Sequence, residues 1–306
     1  TYLAALQNLP PQALFLQALD ADAADGVMQV LTAGIDLHAV RGVAGEPAVL
    51  DLLKEHVLLR AAHGRQKFAV QLGGGGDGAG GNDSGAVNEK YGYQEADLVL
   101  KIGLYLKEEL ETYRNVHVDM TRSDRYGTSA TAPLSKVENR VLYAAEQCSD
   151  LLVSLHLNSA GSNQSVHGGL ILASNGNYDP DCAKVIDAVG TNILAQLSQL
   201  GIDTSRGLVK EGSHDGTTYP NGKLADYYGI VRYGQLRHIP AMIVEHCFVS
   251  SNSDCEQFLS SDAKLRAIAQ ADARGIAAYY GLEKKDPGEV DVEPLFRDCR
   301  SHWAKD

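Results

Sequence analysis

The 306 residues are 44% hydrophobic, enough to bury one large core or two modest ones, and the formal charge is −12. That charge argues against nucleic acid as a partner, because such affinity rests on Lys and Arg displacing counterions from phosphate. No run approaches the ~18 apolar residues that cross a bilayer, so no transmembrane segment is expected.

The start, Thr1-Tyr-Leu-Ala-Ala-Leu6, has no basic region or cleavage signal, so an export signal, if the native protein carries one, lies outside this sequence. Cys148, Cys182, Cys247, Cys255 and Cys299 show no C-x-x-C spacing. They read mostly as small buried hydrophobes and leave the compartment open.

Residues 1–65 are rich in Ala and Leu and read as a helical N-terminal segment, interrupted at Pro10-Pro11 and over 42–47. Its clearest helix covers 48–62, with Val49, Leu53 and Val57 on one face. No chemistry is evident there.

The texture changes at Lys67. Phe68-Ala-Val-Gln-Leu72 reads as a buried strand and runs into Gly73-Gly-Gly-Gly-Asp-Gly-Ala-Gly-Gly-Asn82, which is too glycine-rich for helix or strand. The lysine of a phosphate-binding loop is missing, so a nucleotide site is disfavoured. Residues 93–110 then show helical periodicity, with Ala96, Val99, Leu100, Gly103, Leu104 and Leu110 on one side and Glu95 in the first turn. A carboxylate there either favours the helix dipole or points into a crevice.

Val116-His-Val-Asp-Met120 alternates as a strand, and 135–147 reads as a helix with Val137, Val141, Leu142 and Ala145 inward. The apolar run Leu151-Leu-Val-Ser-Leu155 is a further strand, delivering His156 to its carboxyl end before an Asn-Ser-Ala-Gly turn. In α/β sheets ligands bind at that edge. His156 is therefore a candidate metal ligand or general base, with a structural histidine as the plain alternative.

Strand, helix, strand, helix, strand in this order predicts an α/β domain with a mixed, largely parallel sheet flanked by helices. Residues 168–174 form another strand, and 181–200 a long helix ending at Gly201. Residues 206–228 are polar, with Gly and Tyr throughout, and read as loops over a site. Ala241 to Val244 is a core strand delivering Glu245 and His246 together, and a helix over 263–280 closes the domain. An acid inside Met-Ile-Val-Glu-His-Cys-Phe is costly to bury without a task.

Glu95, His156 and Glu245 thus arise from three separate element ends. A zinc hydrolase needs such a set: fixed N/O ligands hold the ion with one position open for water, and a separate carboxylate takes the water's proton.

At this point the chain resembles the zinc-dependent N-acetylmuramoyl-L-alanine amidases of bacterial cell-wall turnover. The resemblance covers about 67–282 and rests on Gly80-Gly-Asn-Asp-Ser-Gly-Ala-Val87, Gly92-Tyr-Gln-Glu95, Thr121-Arg-Ser-Asp124, Ser154-Leu-His-Leu-Asn158 and Pro240-Ala-Met-Ile-Val-Glu245 through Asn252. It implies one zinc ion, extracytoplasmic action on peptidoglycan, and cleavage of the amide joining muramic acid to L-alanine. By the same resemblance Glu95 and His156 are zinc ligands, Glu245 the general base and Asn158 a substrate-binding residue.

One departure stands out. The family's first zinc-binding histidine precedes the Asn-Asp-Ser-Gly-Ala sequence, and here that position is Ala79, which cannot ligate a metal. His63 and His246 are the conceivable substitutes. An inactivated enzyme and a peptidoglycan-binding module on the same scaffold are both open.

Asp286-Pro-Gly-Glu-Val-Asp-Val-Glu-Pro294 is an acidic linker. The residues after it, from Leu295-Phe-Arg-Asp to Lys305, resemble the opening of an S-layer homology repeat, which holds proteins on Gram-positive walls. The expected division is therefore 1–65, 66–283 and 284–306.

Overall fold

A computed structural model describes residues 66–73, 83–124, 134 and 136–289. The expectations for 1–65, for Ala79 and for the repeat beginning at Leu295 lie outside the described residues.

The elements are β1 Gln66–Leu72, β2 Val87–Asn88, β3 Tyr93–Gln94, α1 Glu95–Leu110, β4 Val116–Met120, α2 Val137–Glu146, β5 Leu151–Asn158, β6 Leu170–Ala173, α3 Pro180–Gln199, β7 Leu208–Lys210, α4 Gly229–Leu236, β8 Ala241–Phe248 and α5 Asp262–Tyr280. A short helical turn, Asn252–Asp254, and a π turn, Cys255–Leu259, join β8 to α5.

Six strands form one sheet in the order β4-β1-β5-β8-β6-β7. β4, β1, β5 and β8 run parallel, and β6 is antiparallel to β8 but parallel to β7. The sheet is mixed and largely parallel, as the element order implies. Parallel strands need a crossover between them, and α1 supplies it from β1 to its neighbour β4 and α2 from β4 across β1 to β5. The link from β5 to β6 contains no helix, and β6 enters the sheet reversed.

Alternation along each strand divides the core in two. Val70, Leu72, Leu151, Val153, Leu155, Met242 and Val244 face one way, into the cluster that α1, α3 and α5 complete through Ile102, Leu106, Ile186, Ile193 and Ile268. Ala69, Leu152, Ala241, Ile243, Leu170 and Leu172 face the other way, towards Val141 of α2 and Ile230 of α4.

On α1 the buried stripe is Ala96, Leu98, Val99, Ile102, Gly103, Leu106 and Leu110. Leu104, expected on that side, is 40% exposed, since the stripe turns one position away from it. α3 starts at Asp179, whose carboxylate accepts from the backbone N–H groups of Asp181 and Cys182. Cys182, Cys247 and Cys255 are buried free thiols, as expected, whereas Cys148 is disulfide-bonded.

Candidate active site

β5 and β8 pair so that His156 stands opposite Glu245. Both follow the alternation of Leu152 and of Ile243, so both lie on the sheet face covered by α2 and α4, near the carboxyl ends of two parallel strands. Glu95 reaches the same place from the first turn of α1: its Oε1 lies 2.9 Å from Nδ1 of His156 and accepts from the Leu157 N–H at 3.2 Å. Its Oε2 accepts from the Ala86 N–H at 2.9 Å.

Two acids and an imidazole therefore share one crevice. Burial raises the Glu95 carboxyl, but the hydrogen bond and charge of His156, with the Ala86 and Leu157 N–H groups, outweigh it and hold Glu95 below its ordinary value. His156 is raised, because the bond to Glu95 and the charges of Glu245 and Glu95 outweigh burial. Glu245 is raised chiefly by burial; the charge of Glu95 adds to that and His156 offsets part of it. Oε2 of Glu245 is buried without a hydrogen-bond partner in the described structure.

The sequence motifs brace this arrangement. The Arg122 guanidinium is buried and its Nη2 donates to the carbonyls of Gly73 at 3.1 Å and Ala96 at 2.8 Å, tying the end of β1 to the start of α1. Asn88 Nδ2 donates to the Val249 carbonyl at 2.9 Å, joining the segment before Glu95 to the end of β8.

Two glycines allow the close approach. A Cβ on Gly73 would sit 2.5 Å from Nδ1 of His156 and 2.7 Å from Oε1 of Glu95, and one on Gly85 would sit 2.4 Å from Oε2 of Glu95. Gly85 also has φ of +63°, a left-handed backbone that favours glycine. Gly73 opens the glycine-rich stretch 73–82 and Gly85 lies in the motif Gly80 to Val87, and neither local pattern discloses these contacts.

His246 does not join the crevice. It follows Glu245 on a strand, so it projects from the opposite face, where Nε2 lies 2.8 Å from Oδ2 of Asp272 and Nδ1 3.1 Å from the carbonyl oxygen of His156. Both nitrogens are engaged, and the possibility that His246 substitutes for a missing ligand is corrected accordingly. Asn158 closes β5, its Oδ1 accepting from the Ser159 N–H at 2.8 Å.

The donor set does not fit a tightly held zinc ion. Three protein ligands are the usual minimum of a catalytic zinc site, and among the described residues no group of three His, Cys, Asp or Glu is placed to hold a metal. Of the two expected ligands, Glu95 already accepts three hydrogen bonds, one of them at the Nδ1 atom of the other ligand.

The sheet order and the helices on both its faces define a protein of the α/β layered class. Residues 76–278 match the family N-acetylmuramoyl-L-alanine amidase. The chain belongs to that family, whose members are hydrolases of the peptidoglycan of the bacterial cell wall. It is 27% identical over 203 residues to the uncharacterized protein YqiI of Bacillus subtilis, covering 66% of this chain and 82% of that one. It is also 27% identical over 231 residues to N-acetylmuramoyl-L-alanine amidase AmiC of Escherichia coli, covering 66% of this chain and 51% of AmiC, about half that protein's length. The N-acetylmuramoyl-L-alanine amidase of Clostridium difficile 630 shares its fold, with a TM-score of 0.54 at 20% identity over 71% of this chain and 97% of the other.

Proposed function

We propose that this chain takes the amide between N-acetylmuramic acid and L-alanine of peptidoglycan into the crevice of Glu95, His156 and Glu245, outside the cytoplasm. The observation that carries this is Glu245: a buried carboxyl oxygen without a partner, beside an acid–imidazole pair, is costly in a module that only binds. Its raised pKa suits a general base, which accepts a proton from the attacking water and passes it to the departing amine. Water oxygen bonds to the lactyl carbonyl carbon, the carbon–nitrogen bond breaks, and a carboxyl and a free alanine amine result. His156, whose pKa the bond to Glu95 helps to raise, is placed to set positive charge beside the carbonyl oxygen as it becomes negative.

The family's zinc is the missing part. With Ala79 at the first histidine position the chain as it stands holds zinc weakly and hydrolyses slowly, and no step above depends on the ion. Ala79→His is expected to raise both the zinc content of the purified chain and the release of alanine amino groups from cell walls. An Ala79→Hisvariant unchanged in both would end the role given to that position.

A second reading, a wall-binding receptor, is favoured by Ala79 at the position of the first histidine. Retention of wild-type chain on purified peptidoglycan, without zinc and without new amines, would decide for it.

A further inference from the structure

The segment from Glu211 to Tyr228 comes within reach of the Glu245 charge at Tyr228, and it is tied together by hydrogen bonds. The Ser213 and Tyr227 N–H groups bond the carbonyls of Ala225 and Glu211 at 2.8 and 2.9 Å. Buried Asp226 accepts from the hydroxyls of Ser174 at 2.8 Å and Tyr219 at 2.7 Å and from the Asn175 N–H at 2.7 Å. On this frame stand two rings that the core does not use. Tyr227 is 45% exposed, and the His214 side chain 64%. Their rings stack at 4.4 Å and 28°, and His214 Nε2 is held 2.6 Å from Oε1 of Glu211.

The pair connects to the crevice through Tyr228. Tyr227 meets the Tyr228 ring edge-on at 5.0 Å. The Tyr228 hydroxyl is pushed up to about 12 by burial, by its hydrogen bond to Glu211 and by the charge of Glu245.

We propose that the Tyr227 and His214 rings form a platform for a pyranose ring of the glycan strand, flanking the site of the muramoyl amide. The inference rests on the reading of the crevice given above. Charge selects the sugar over the peptide. With Asp226 buried, the segment 211–228 presents two carboxylates, Glu211 and Asp215, against one lysine, Lys223, and Glu245 lies beyond. Stem peptides bear free carboxylates that this wall repels, whereas an N-acetylated sugar is neutral, donates hydroxyl hydrogen bonds to carboxylates, and presents a C–H face to an aromatic ring. A fixed, pre-stacked pair loses little freedom on binding.

The test uses the full chain and two probes, a disaccharide-bearing muropeptide and the same stem peptide without sugar, titrated calorimetrically. Tyr227→Ala is expected to weaken the disaccharide-bearing probe about tenfold, Tyr227→Phe to leave it unchanged, and neither to alter the sugar-free peptide. Equal affinity of wild type and Tyr227→Ala for the disaccharide-bearing probe would overturn the platform alone, as would a matching loss for the sugar-free peptide. A wild-type chain that binds neither probe would overturn the crevice reading and this inference with it. Thermal unfolding of each variant separates lost binding from lost fold.

Discussion

Glu245 and His156 stand directly opposite each other in the parallel ladder of β8 and β5, and both project from the same face of the sheet. Residues distant in the chain thereby meet because two buried strands place their carboxyl ends side by side. The relationship also sets an electrostatic cost, since the carboxyl that enters this crevice leaves water.

That cost gives a pH signature. The Glu245 pKa is raised in the folded chain, chiefly by burial, so the native state holds this proton more tightly than the unfolded state does. Stability from this group is then lost as pH rises from the unfolded carboxyl value, 4.5, through the raised native one. Glu245→Gln removes the penalty. Its melting temperature is expected to exceed that of wild type near neutral pH, with the difference closing towards about pH 4, while any amide hydrolysis is abolished. A melting difference that stays constant across that range would contradict the burial cost assigned to Glu245.

On the reverse face, His246 and Asp272 are both 0% exposed and paired at 2.8 Å, and His246 also reaches the carbonyl of His156. The ladder between β5 and β8 shifts register just after His156, and the imidazole meets the strand there. Replacing one member leaves a buried charge without its partner. Asp272→Asn is expected to destabilise by about 3–5 kcal/mol, and a double replacement by apolar residues of similar volume to recover much of that. Denaturant unfolding measures both. A single variant as stable as wild type would show that the pair carries no such charge.

Close approach at Gly73 is equally testable. A methyl group there collides with the imidazole of His156 and the carboxylate of Glu95, which are hydrogen-bonded to each other. Gly73→Ala is expected to cost about 1–3 kcal/mol by overpacking and to shift the His156 ring resonances in an NMR spectrum. Unmoved resonances with unchanged stability would mean that the pair does not close around this glycine.

These cases mark what a sequence can and cannot disclose. The apolar runs ending at His156 and Glu245 were legible, because a run of buried β-rich residues bounded by a polar turn fixes a strand, and its parity fixes a side. The same parity separates His246 from Glu245, although the two were expected to arrive together. Gly73 and Gly85 were visible as glycines, but their task depends on which side chains meet them from elsewhere, which no local pattern encodes. β7 and α4 were hidden for another reason: three and eight residues are too short for periodicity to register, and β7 in addition lies in the polar stretch 206–228. Reversal of β6 follows from a connection without a helix, which composition does not dictate.

The start of α3 offers a prediction away from the crevice. Asp179 caps the helix, accepting at 3.0 Å from the N–H groups of Asp181 and Cys182, and its Oδ2 lies 2.6 Å from Nδ1 of His238. Burial raises this carboxyl, but the Cys182 N–H and His238 outweigh it, so the folded pKa is below the ordinary 3.8. A lowered acid stabilises the fold above its unfolded pKa, and the contribution disappears as pH falls through the native value. Asp179→Ala is therefore expected to lose about 0.5–2 kcal/mol near neutral pH. His238→Ala should lose less, because the cap bonds remain. Chemical unfolding at neutral pH and again below pH about 3 checks the sign: the deficit of Asp179→Ala must shrink in acid, where wild type surrenders the same charge. A deficit that grows in acid would mean that the carboxylate is not what holds this end of the helix.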